Sequence, residues 1–103
     1  MTFLSLAVEK SSLTQQKDVL EYREMCLTMD KNAIVEEMAA YQNDNDDGAY
    51  DDEISYLETY QEMYDSEIDS IESQLEAINN EIDGYEKAVQ TNVKSECTLK
   101  ISV

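Results

Sequence analysis

Residues 54–89 read ISYLETYQEMYDSEIDSIESQLEAINNEIDGYEKAV, and the spacing of their apolar side chains decides the fold. Alternating steps of three and four residues visit Ile54, Leu57, Gln61, Tyr64, Ile68, Ile71, Leu75, Ile78, Ile82, Tyr85 and Val89. Ten of these eleven positions are apolar, and the residues between them are mostly Glu, Asp, Ser, Gln and Asn. This is a heptad seam along one side of a helix. The spacing predicts a helix over about 51–91, roughly 60 Å long at about 1.5 Å per residue. Asp51, Asp52 and Glu53 suit its start, where a side-chain oxygen caps free amides and negative charge meets the positive end of the helix dipole. Gly84 falls inside the pattern and weakens it locally, by about 1 kcal/mol relative to alanine.

Upstream, Asn43-Asp44-Asn45-Asp46-Asp47-Gly48-Ala49-Tyr50 is short and polar and contains a glycine. Asn and Asp compete with helical hydrogen bonds through their own side chains, so the stretch reads as a turn between antiparallel helices rather than as part of one continuous rod. Before it, Leu6, Leu13, Leu20, Leu27, Ile34 and Tyr41 recur every seven residues, predicting a first helix over about 5–42. Val19, Cys26, Ala33 and Ala40, each one residue earlier, widen this stripe, and the small Ala33 and Ala40 would admit a close neighbour. Ser12 with Gln15 offers a capping box, so the helix begins there or runs from the start. Tyr22, Met25 and Met29 form a second patch roughly opposite the leucines, which suggests packing on two sides or ordinary exposed side chains.

The tail changes period. Val93, Ser95, Cys97, Leu99, Ile101 and Val103 alternate with Lys94, Glu96, Thr98, Lys100 and Ser102, a period of two that reads as a β-strand. A lone strand needs a partner: residues 2–8 of the same chain, or another molecule by strand addition. The expected fold is therefore all-α, one antiparallel helical hairpin or coiled coil of 103 residues with a short strand-like C-terminal tail.

Charge restricts the partners. The net charge is −17; residues 44–103 carry seventeen acids and three bases, and no Lys or Arg occurs from Asp44 to Glu86. Direct binding to nucleic acid or anionic lipid is disfavoured, because the phosphate attraction that drives it becomes repulsion. A basic protein remains open. So does mimicry of a nucleic-acid duplex by acids along one helix, with Glu58, Glu62, Asp65, Asp69, Glu72 and Glu76 as the candidate face. No apolar run reaches the length of a membrane span, and the opening residues 1–8 lack a signal peptide's basic leader and cleavage site. A cytoplasmic protein, or one exported without a cleavable signal, is expected.

Catalytic chemistry finds few handles. The chain has no histidine, no glycine-rich phosphate loop and no Cys-x-x-Cys pair, so neither an enzyme nor a cofactor is expected. The acidic turn can be aligned with a calcium loop: Asn43, Asn45, Asp47 and Asp51 fall at ligand positions, and Gly48 at the required glycine. The final bidentate Glu of such a loop is replaced by Ile54, which leaves a weak candidate beside the simpler reading of an acidic turn. Cys26 and Cys97 would lie roughly 30 Å or more apart in a hairpin, beyond disulfide reach, and read as reduced thiols.

A two-helix hairpin covers one face of each helix, and dimerisation or stacking would cover more. The expected function is self-association through Leu20, Leu27, Ile34, Ile68, Ile71, Leu75 and Ile78 on the seams, and Leu99 and Ile101 in the tail. The alternative is an acidic inhibitor or adaptor seated on a basic partner. In outline the arrangement is similar to the small helical-hairpin subunits of secreted needles and filaments, a resemblance of architecture that no motif carries.

Overall fold

A computed structural model describes residues 2–44 and 47–102, with side chains for all of these except Phe3 and residues 95–102. Two helices pack against each other as a hairpin: α1, Phe3–Asn43, and α2, Asp51–Ser102. Among the described residues there is no strand. The strand-like alternation read over 93–103 falls largely on a stretch whose side chains lie outside the described residues. One partner considered for it is removed, because residues 3–8 are the opening turns of α1.

The start of α1 has a local cause. The Ser5 amide donates to Thr2 Oγ1 at 3.1 Å, and the Leu6 amide donates to the Thr2 carbonyl at 3.0 Å. Thr2 is thus the N-cap, and the Ser12–Gln15 pair sits in mid-helix. The turn depends on Gly48, which adopts φ +73°, a left-handed conformation that costs other residues about 1–2 kcal/mol. Its carbonyl accepts from the Asp51 amide at 3.3 Å, and the Tyr50 carbonyl accepts from the Ile54 amide at 2.9 Å, which starts α2. Asp51, Asp52 and Glu53 occupy the first turn of α2, as the dipole favours.

The contacts divide into two compact units. The unit of residues 21–73 holds the turn. Its core is Ile54, Leu57 and Ile71, with Gln61, Tyr64 and Ile68 half-buried between them. From α1 it receives Leu27, Ile34, Met38 and Tyr41, all half-buried. The Tyr41 and Tyr50 rings meet at 5.0 Å and close the end near the turn. The other unit, residues 1–20 and 74–103, buries Leu6 and half-buries Leu13, Leu20, Leu75, Ile78, Ile82, Tyr85 and Val89.

The second column of the α1 seam differs from the sequence reading. The companions of the leucines are Lys10, Lys17, Glu24, Lys31 and Met38, all half-buried, whereas Val19, Ala33 and Ala40 stand exposed and Cys26 is half-buried. Helical geometry explains the change. A face that meets one neighbour advances by alternating steps of three and four, and from Leu6 that path runs through Lys10, Leu13, Lys17, Leu20, Glu24, Leu27, Lys31, Ile34, Met38 and Tyr41. Positions one residue before each leucine are turned away from that line. A lysine can occupy such a place because its methylenes cover apolar surface while its ammonium reaches water.

Candidate interaction surfaces

Cation placement is the first feature of the interface between the helices. Lys31 pairs with Asp65 in the unit that holds the turn. In the other unit, Lys10 Nζ lies 3.1 Å from Glu86 Oε1. Both pairs are partly open to water and contribute about 0–1 kcal/mol each. Their larger effect is on register, because a charged residue in a seam selects the alignment that supplies its partner. Half-buried Tyr85 adds a further link within the same unit as Lys10. A hydrogen bond with the Glu9 carboxylate is the main cause that raises its phenol above the ordinary 10.0, assisted by burial and by the negative charges of Glu9 and Glu81.

The residues expected to carry packing divide between the two units. Leu27, Ile34, Ile68 and Ile71 belong to one unit, and Leu20, Leu75 and Ile78 to the other. Only Ile71, at 3 % exposure, is closed off; the other six are half-buried. Leu20 and Ile78 line an open groove of about 420 Å³ together with Ser12, Gln16, Val19 and Gln74. Leu99 and Ile101 lie outside the residues whose side chains are described.

A tyrosine groove emerges that the sequence reading did not single out. Ile34, Tyr41, Leu57, Tyr60 and Tyr64 form its walls, with Tyr56, Glu37 and Glu53 at its edge, and its volume is about 410 Å³. Tyr56 and Tyr60 pack edge to face at 4.8 Å and share a hydrogen bond of 3.0 Å between their hydroxyls. That bond is the first cause that raises the Tyr56 phenol above its ordinary value. Spacing offered a signal: Tyr56, Tyr60 and Tyr64 recur every four residues and so share one side of α2.

Of the acidic face, Glu58, Glu62, Asp69 and Glu72 are exposed in the unit of the turn, and Glu76 is exposed in the other. Asp65 departs from the set, being half-buried and committed to Lys31. In the turn, Asn43 ends α1, Asp51 begins α2, and Asn45 lies outside the described residues. Among the described residues no group of three or more His, Cys, Asp or Glu side chains is placed to hold a metal ion. Among them, too, no helix is long and apolar enough to cross a membrane. Cys26 is a free, half-buried thiol; the Cys97 side chain is outside the described residues. No protein-family model, curated protein or solved structure matches this chain.

Proposed function

We propose that this chain is a non-enzymatic structural protein that assembles with copies of itself through the faces of its hairpin. The observation that carries this reading is the shortage of closed core. Among the described residues only Leu6, Ile54, Leu57 and Ile71 are buried, while Leu4, Val8, Val19, Tyr22, Met25 and Met29 are each at least half exposed. Native mass spectrometry tests the reading by looking for species at multiples of the chain mass. The tail, with Leu99 and Ile101, is a second contact in this proposal, and deleting residues 98–103 should weaken assembly without lowering the helicity of residues 3–91.

The tyrosine groove favours a second reading, an acidic adaptor for a basic partner. Tyrosine faces attract Lys and Arg, and Glu37 and Glu53 at the edge add charge. Charge reversal at Glu58, Glu62 and Asp69 separates the two readings, with Asp65 left intact because it holds Lys31. Loss of a basic partner, with unchanged self-association, is the outcome the adaptor reading requires.

A further inference from the structure

The tyrosine groove has a continuation. A second groove of about 210 Å³ adjoins it, walled by the same Tyr60 and Tyr64. Both lie within the unit of residues 21–73. Each groove carries one carboxylate from each helix: Glu37 and Glu53 in the first, Asp30 and Glu67 in the second. All four acids are exposed, as are Tyr56 and Tyr60. No lining residue of either groove is Lys or Arg, and Lys31, next in sequence to Asp30, is committed to Asp65.

Two carboxylates beside one aromatic groove repel each other and draw a cation. The tyrosine rings select which cation. A guanidinium is planar and weakly hydrated, so it stacks on a ring while its N–H groups donate to carboxylates beside it; an ammonium is a compact charge held by water. Length favours a peptide over a single small ion. By helical rise Glu37 lies about 10 Å from Asp30 along α1, and Glu53 about 21 Å from Glu67 along α2. An extended chain covers such a span in about three to six residues. We infer that the joined grooves bind a short arginine-bearing segment of a basic partner protein, its guanidinium groups stacked on Tyr56 and Tyr60 and paired with the four carboxylates. A second copy of this chain brings one arginine, Arg23, and a net charge of −17, so the partner is a different protein. The inference rests on the adaptor reading above and names the chemistry of its partner.

The test titrates the full chain into short fluorescein-labelled peptides, one alternating Arg with Ser and one alternating Lys with Ser, and follows anisotropy at about 0.15 M salt. The arginine peptide should bind at least about fivefold tighter than the lysine peptide. Tyr56→Leu, which keeps an apolar side chain at an exposed helical site, should remove most of that preference. Glu37→Gln/Glu53→Gln should weaken the arginine peptide about tenfold. Glu58→Gln/Glu72→Gln makes the same change in net charge outside the grooves and should weaken it less than about threefold; circular dichroism should find the helicity of every variant unchanged. Equal affinity for the two peptides overturns the selection of arginine. Equal weakening by the two Gln pairs overturns the grooves and leaves the adaptor reading standing on diffuse charge. Failure of both peptides to bind at up to about 1 mM overturns the grooves and the adaptor reading together.

Discussion

Replacing the seam lysines Lys10 and Lys31 by leucine should stabilise the hairpin, although it removes their ion pairs with Glu86 and Asp65. Lys31 has a side-chain exposure of 30 % and Asp65 46 %; for Lys10 and Glu86 the values are 40 % and 48 %. Each leucine would place most of its side chain against α2, and full burial of a leucine contributes about 1.5–3 kcal/mol. The lysine methylenes already cover part of that surface, which lowers the gain to about 1 kcal/mol per site. Against it stands the lost pair, at about 0–1 kcal/mol. Asp65 and Glu86 keep their contact with water, so no buried charge is stranded. The two sites belong to separate units and should add, for a net of about 1 kcal/mol or a rise of roughly 4–8 °C in Tm. Thermal circular dichroism on Lys10→Leu/Lys31→Leu, at low concentration to limit association, reads the change. A fall of several degrees would refute the reasoning and make the pairs essential to stability rather than to register.

Other outcomes follow from single features. Gly84 has open space where a Cβ would sit, so Gly84→Ala should raise stability by about 1 kcal/mol in urea titration. Gly48→Ala should lower it by about 1–2 kcal/mol, because φ +73° strains any L side chain; an unchanged midpoint would count against the turn geometry. The Tyr85 phenol is raised in the folded state, so its contribution is complete below the unfolded value of 10.0 and disappears as pH rises through the folded one. Melting curves should therefore weaken above about pH 10, and Tyr85→Phe should flatten that decline. Salt should raise Tm, since about 1 M ionic strength shortens the screening length to about 3 Å and quiets the repulsion among the acids of residues 44–86; a falling Tm would favour the ion pairs as the dominant charge effect.

The two columns of α1 show how far the sequence could be read. The α2 seam was legible because ten of its eleven positions between Ile54 and Val89 are apolar, and all eleven are buried or half-buried. The leucine column of α1 was legible for the same reason. Its companion column was not, since Lys10, Lys17 and Lys31 look like surface, whereas Val19, Ala33 and Ala40 look like core. Their spacing by multiples of seven was the available clue, and hydrophobicity alone hides it because a lysine stem packs as an apolar chain. The cap was missed at Thr2 because Ser12 and Gln15 match a capping box in letters but stand where the helix is already formed. The tyrosine groove escaped because the turn separates Tyr41 on α1 from Tyr56, Tyr60 and Tyr64 on α2. Only folding brings the rings together.

Size-exclusion chromatography with light scattering, over a hundredfold range of concentration at moderate salt, tests the central claim most directly. The account predicts a species of at least twice the 11.8 kDa chain mass, populated increasingly as concentration rises. A mass of 11.8 kDa at every concentration would contradict it and leave the tyrosine groove and acidic residues to a foreign basic partner.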